Sequence, residues 1–322
     1  MEINWIVVIV AIIVIILFIA ILVIWWLTYR VLFQPTTDHI WYPNIPFSNV
    51  FLPISTESVP EDAIIFESNQ PVVLPNSNMS FIHSWWFKNF GGNKIVIFFH
   101  GNNGNISYRE YVIEICQKLG LNLFLPDYRG YGLSSGIATL DNIKTDAEKI
   151  YAFVRKYYDP NDIIIWGESL GGTPALKVAS SYPCHKLVLF ATFASIEDVI
   201  WSHYPTGLMK ILGYGVKATM TPMPNKTYIK SVTCPIIILH SKDDDRIPYI
   251  NAEILANNVS HGNIEIVSFC GSHGCPTFKY DSLPKLAKFL GIEEKCYKQV
   301  DWECIFDKID AKILPEVIAI SG

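Results

Sequence analysis

The chain has 322 residues, half of them hydrophobic, with a formal net charge of -5 and no dense Lys/Arg block. This sets aside nucleic acid as a partner, because phosphate backbones are met by a basic footprint. The length accommodates one large α/β domain with additions, or two smaller domains. Seven cysteines at 116, 184, 234, 270, 275, 296 and 304 are odd in number and lack paired C-x-x-C spacing, which argues against a zinc site and for a largely reduced domain. Bridges between Cys270 and Cys275 or between Cys296 and Cys304 have only sequence proximity behind them.

From Trp5 to Leu27 no charged residue occurs. At about 1.5 Å rise per residue, a helix of that length crosses a hydrocarbon core of about 30 Å. Trp5 at one end and Trp25, Trp26 and Tyr29 at the other suit interfacial aromatic belts. A cleavable signal peptide is the competing reading, but it lacks a basic n-region, its apolar run is too long, and no small-x-small cleavage site precedes "WWLTYRVLFQP". A buried core helix would show an amphipathic face, and this run is apolar all round. The expectation is a single-pass membrane anchor over residues 1–30, with the bilayer as a partner. Arg30 after the segment points mildly to a cytosolic globular part. Four N-x-S/T sequons at Asn78, Asn105, Asn225 and Asn258 point the other way.

Residues 31–60 are rich in Pro and aromatics and lack periodicity, as expected of an extended connector packed on a domain. A domain over 61–290 follows. Its strands are expected at "AIIFES", "FIHSWWF", 94–100, 121–127, 162–167, 186–191, 235–240 and 263–269. Its helices are expected at 108–119, 139–157, from Leu170, and near 249–258 and 282–290. Alternation of near-continuous apolar strands with helices means a mostly parallel sheet covered on both faces. The interval 193–233 is longer than a simple crossover needs and carries Trp201, Leu208, Met209, Ile211, Leu212 and Met220. It reads as a short cap whose Met-bearing surface can adapt to acyl chains, against an ordinary crossover with a decorated loop. Residues 291–322 form a C-terminal extension ending in "ILPEVIAI".

In open α/β sheets reactive groups lie just past the carboxyl ends of strands, and four elements here do. "GESLGG" places Ser169 in a G-x-S-x-G turn after an apolar strand; Asp243, Asp244 and Asp245 follow "PIIILH"; His273 follows "NIEIVSFC"; and "FFHGNNGN" offers glycine-exposed backbone amides. The order Ser, Asp, His is that of a hydrolase triad with a nucleophile elbow. With "PDYRGYGLSSG", "HSKDDDRIPY" and "GSHG", these motifs resemble the α/β-hydrolase family over roughly residues 60–290. Within it they resemble the membrane-anchored serine hydrolases related to acylglycerol and lysophospholipid lipases and protein depalmitoylases.

The resemblance implies an α/β-hydrolase fold and cleavage of carboxylic esters or thioesters of lipid or acylated substrates, through an acyl-serine and without cofactor or metal. Ser169 is the expected nucleophile and His273 its general base. The family's H-G-x-x-D-x-x-x-P pattern aligns the third member with Asp244, and Asp243 and Asp245 remain alternatives. The amide of Leu170 and that of Asn102, with Asn103 nearby, are the expected oxyanion donors. His100, Asp127 and Arg129 read as loop-shaping residues, the last two as a pair, and Glu168 as a solvated elbow residue. Cys275 reads as a bystander. Gly274 and Cys275 stand where the related anchored hydrolases usually have Asn and Asp, a departure that bears on substrate more than on reaction. A catalytically silent fold member that binds a lipid or membrane partner, and a peptidase or amidase, are the alternatives. Oligomeric state has no signal in the sequence.

Overall fold

A computed structural model describes residues 5–37, 40, 42–54, 63–67, 80–203, 223–273 and 282–293. The chain opens with a single helix, α1 (Trp5–Leu32). No Gly or Pro interrupts its apolar run, so the backbone closes intrahelical hydrogen bonds along its whole length. None of the window Trp5–Val23 is buried against the protein, and among the described residues it is the one helix long and apolar enough to cross a membrane. Side chains such as Ile6, Leu17 and Phe18 are exposed along it, so it is not a core helix. The last turn behaves differently: Tyr29 and Leu32 pack on the domain core and Phe33 is buried in it.

Immediately after α1 comes a two-residue strand, β1 (Gln34–Pro35). Then follow β2 (Ser48–Pro53), β3 (Ile64–Glu67), β4 (Phe81–Phe87), β5 (Ile95–Phe99) and the short β6 (Asn103–Gly104). From there helices and strands alternate: α2 (Glu110–Lys118), β7 (Asn122–Pro126), α3 (Leu140–Val154), β8 (Ile163–Glu168), α4 (Gly172–Ser181), β9 (Lys186–Phe190), α5 (Ile196–His203) and α6 (Asn225–Tyr228). The described domain ends with β10 (Ile236–Ser241), α7 (Ile250–Asn257), β11 (Ile264–Phe269) and α8 (Ser282–Leu290).

The main sheet has the order β11-β10-β9-β8-β5-β7-β4-β2-β3 among the described residues. Strands β11 through β7 run parallel, and β4, β2 and β3 extend that block by antiparallel pairing. The sequence signal for the parallel block is its continuous apolar character, and the reason is visible in β8. Ile163 and Ile165 join one core, with α3 and α4, while Ile164 and Trp166 join the other, with α2 and α8. Strand side chains alternate between faces, so a sheet covered on both sides needs apolar residues at every position. Strand β2 lies inside the stretch expected to be connector. Val50, Phe51 and Leu52 are buried on it, between β3 and β4; its short run within a Pro-rich context carries no alternation to mark it.

The interval expected to be a cap leaves and returns at one place. Asn225 Nδ2 donates to Phe193 O at 2.9 Å and the Lys226 amide to Ala194 O at 2.8 Å, closing the base of the excursion. Residues 204–222, and with them most of the expected cap, lie outside the described residues, as do Asn78, Gly274, Cys275, Cys296, Cys304 and nearly all of the C-terminal extension. Of the sequons that are described, Asn105 and Asn225 are fully buried and hydrogen-bonded inward, which excludes glycan attachment there in the folded chain.

Polar groups inside the sheet are specific. His83 on β4 is fully buried, its Nε2 2.8 Å from Asn49 Oδ1, and burial pushes its imidazole down to about 3. The ring is therefore neutral in the fold while an unfolded chain protonates it below about pH 6.5. Protons then bind preferentially to the unfolded state, so stability must fall as pH drops from about 6.5 toward 3. Urea titrations of the wild type and His83→Gln should show a steeper acid loss in the wild type, approaching at most about 1.4 kcal/mol per pH unit; parallel slopes would refute a neutral His83.

Candidate active site

Ser169 sits where β8 gives way to a 3-10 turn (Ser169–Gly171) and then to α4. Its φ is +51°, a left-handed conformation rarely held by a residue with a side chain. The glycines around it are explained by space. A Cβ on Gly171 would lie 1.9 Å from Phe99 O, and one on Gly167 would lie 2.5 Å from Gly171 O. The turn therefore packs directly on the end of β5 and lifts the Ser169 hydroxyl at the strand ends. Thr192, just beyond β9, locks this arrangement: its Oγ1 donates to Ser169 O at 2.7 Å.

Ser169 Oγ lies 3.1 Å from His273 Nε2, and His273 Nδ1 lies 2.8 Å from Asp244 Oδ2. The three residues come from the carboxyl ends of β8, β10 and β11 and form one hydrogen-bonded line. The neighbouring aspartates divide the work. Asp243 Oδ2 accepts the Gly271 amide at 3.3 Å and Asp245 Oδ1 accepts the His273 amide at 3.0 Å, so both hold the histidine loop by its backbone. The His273 amide is also the main reason that the Asp245 carboxyl lies below its ordinary range. Asp244 alone reaches the imidazole. Its second oxygen accepts the Arg246 and Ile247 amides at 3.0 and 2.7 Å, which fixes the carboxylate plane. His240 stands 3.5 Å from Asp244 Oδ2, but its Nε2 donates to Ile247 O at 2.7 Å and burial depresses its basicity, so it serves as a neutral prop.

The loop after β5 lies against this line: a Cβ on Gly101 would be 3.6 Å from Ser169 Cβ. Asn102 is in this loop, and Leu170, buried, follows Ser169 in the elbow. The Asn102 and Leu170 amides thus belong to the two segments that flank the Ser169 hydroxyl. His100 shapes the loop as expected, its Nδ1 donating to Gly101 O at 2.7 Å. Glu168 is not the solvated elbow residue expected. Its Oε2 accepts the Gly101 amide at 3.3 Å and faces Arg109 Nε at 3.4 Å, tying elbow to loop. The expected Asp127 and Arg129 pair does not form either: Arg129 holds Asp146 on α3 through Nε at 3.0 and 2.8 Å, while Asp127 accepts the Ile106 amide at 2.9 Å and stands 3.4 Å from His100.

Thr192 and Arg109 had no motif to betray them, whereas His240 opens the "HSKDDDRIP" motif without a role being assigned to it. Thr192 does share the strand-end position of the reactive groups, which is the one cue the sequence offers. Thr192→Val keeps the side-chain shape but leaves Ser169 O without this donor. It should lower stability by about 1–3 kcal/mol, read by chemical denaturation, and a change near zero would show that the elbow does not depend on this bond.

A family model described as alpha/beta hydrolase fold matches residues 94–229, which include Ser169, Asn102 and Leu170. An uncharacterized protein of Acanthamoeba polyphaga mimivirus is 28% identical over 265 residues, covering 76% of this chain and 86% of that protein. Lysophosphatidylserine lipase ABHD12 of Danio rerio is 26% identical over 180 residues, covering 51% of this chain and 47% of that protein. Among solved structures, a Pyrococcus furiosus esterase superposes with a TM-score of 0.59 at 17% sequence identity, covering 81% of this chain and 97% of that one. The parallel sheet, the strained serine turn and these matches agree that the chain has an α/β-hydrolase fold, with a lysophosphatidylserine lipase and an esterase among the proteins it is similar to.

Proposed function

We propose that the chain is a membrane-anchored serine hydrolase that cleaves carboxylic ester or thioester bonds of lipid or acylated substrates. The observation that carries this reading is the line from Ser169 through His273 to Asp244, set beside the loop that holds Asn102. In the proposed reaction Ser169 Oγ attacks the acyl carbon as His273 Nε2 takes its proton. Asp244 holds the Nδ1–H tautomer and balances the imidazolium. The amides of Leu170 and Asn102 receive the oxyanion, a contribution typically worth about 2.7–4 kcal/mol per donor. His273 then protonates the departing oxygen or sulfur, leaving an acyl-serine. A water, deprotonated by the same imidazole, then attacks the acyl carbon; the acyl–Oγ bond breaks, the carboxylic acid leaves, and His273 returns the proton to Ser169 Oγ.

Lipid specificity draws on two further supports. One relative is a lysophosphatidylserine lipase, and α1 has the length and composition of an anchor that would hold the site beside a bilayer, where amphiphilic substrates concentrate. The test is fluorophosphonate labelling of carbonate-washed membranes. Wild type should label, Ser169→Ala and His273→Ala should not, and Asp244→Asn should slow the reaction by about 10³–10⁴-fold. A folded wild type that stays unlabelled would instead favour a silent, lipid-binding member of the fold. Loss of the protein from the washed membranes would remove the anchor from the reading.

A further inference from the structure

The loop at 100–104 is held by its carbonyls. His100 O accepts from Tyr128 OH at 2.7 Å, Gly101 O from His100 Nδ1 at 2.7 Å, and Asn103 O from Arg109 Nη2 at 2.6 Å. The remaining two carbonyls are taken by the segment that continues α1. Gln34 N donates to Asn102 O at 3.0 Å, beside Tyr131 OH at 2.8 Å, and Thr36 N donates to Gly104 O at 3.3 Å. These bonds make β1 and β6 a parallel pair, with Gln34 opposite Asn103 and Pro35 opposite Gly104. The strap is stitched on its other side too, where Thr36 O accepts the Gly132 amide at 3.0 Å and Asn105 Nδ2 at 3.1 Å.

In a trans peptide the carbonyl and the following amide point in opposite directions. Holding Asn102 O therefore orients the Asn103 amide, and together with the held Gly101 O it fixes the peptide planes on both sides of Asn102. Gln34 lies two residues beyond the end of α1, with buried Phe33 between them, so no free linker separates the apolar helix from this loop.

We propose that residues 34–36 are a positioning strap for the loop that supplies the oxyanion amide, making the anchor helix and the site one mechanical unit. This rests on the serine-hydrolase reading for its catalytic consequence, though not for its structural one. The experiment compares Gln34→Pro/Thr36→Pro, which deletes both strap amides, with Gln34→Ala/Thr36→Ala, which keeps them. Pro35 is extended, a backbone that tolerates a following proline. In the full chain, the proline pair should raise hydrogen exchange at 102–104 while leaving the rest of the sheet protected. It should also slow fluorophosphonate labelling and lower kcat on a short-chain ester at least tenfold, with KM within about threefold. The alanine pair should match the wild type in all of these. A folded proline variant with unchanged exchange at 102–104 overturns the strap; raised exchange beside an inert wild type overturns only the hydrolase reading.

A separate observation concerns two cysteines. Cys184 and Cys234 precede β9 and β10, which are parallel neighbours with Ile236 opposite Leu187, and their Sγ atoms lie 3.2 Å apart. Cys184 is half-buried and Cys234 buried. We infer that they are a cross-linking site. A disulfide oxidant such as oxidised glutathione removes two electrons and two protons from the pair, joins the sulfurs, and is itself reduced to two thiols. The bond would close the segment that contains the excursion after β9, at the amino-terminal ends of the parallel strands, opposite the ends that carry Ser169. The full chain incubated with oxidised glutathione and mapped without reductant should yield a peptide joining Cys184 to Cys234, with a melting temperature several degrees higher. Cys234→Ser should abolish both changes. Recovery of Cys184 only as thiol or as a glutathione adduct, in a folded wild type, overturns the inference.

Discussion

The site depends on one close approach, that of the Gly171 backbone to the end of β5. Only a residue without a side chain passes Phe99 O there, since a Cβ would come within 1.9 Å. This contact brings the β8 turn and the β5 loop together, sets Ser169 at a positive φ, and places Gly101 against the serine. The strain is held from three sides. Thr192 grips the Ser169 carbonyl, Glu168 grips the Gly101 amide, and α4 starts its hydrogen-bond ladder at once. A left-handed non-glycine residue persists where its surroundings over-determine it, and those surroundings here come from β5, β9 and α4 together.

The Asp244 and His273 side of the site is organised by backbone donors rather than by bulk. Three consecutive aspartates could compete for one imidazole. The amides of Gly271 and His273 occupy two of them and turn Asp244 toward the ring. Two further amides then fix the free oxygen of Asp244, which limits the carboxylate to one orientation. A triplet that reads as redundant in one dimension is in three dimensions a clamp with one acidic contact to the histidine.

Much of this was legible in the chain itself. The strands of the parallel block stand out because burial on both faces demands unbroken apolar runs, as in "KIVIFFH" and "DIIIWG". The spacing in "GESLGG" announces a tight turn because only glycine relieves its contacts. Strand β2 was not legible, since six residues inside a Pro-rich stretch bear no pattern until neighbours on both sides pair with them. Glu168 reads as a solvated residue because its partners, Gly101 and Arg109, are 67 and 59 residues away along the chain.

By itself, then, the sequence determined the strands of the parallel block and the helices between them, the chain order of Ser169, Asp244 and His273, and the apolar segment at its start. These rest on local rules: periodicity, glycine spacing and run length. Tertiary structure alone decided what Asp243 and Asp245 hold, that Arg129 turns to Asp146, that Thr192 holds the elbow, and that the chain leaving α1 hydrogen-bonds to the loop beside Ser169. Each of these pairs residues distant in sequence through side chains or backbone groups that many partners could satisfy, and only the order of strands in the sheet selects one.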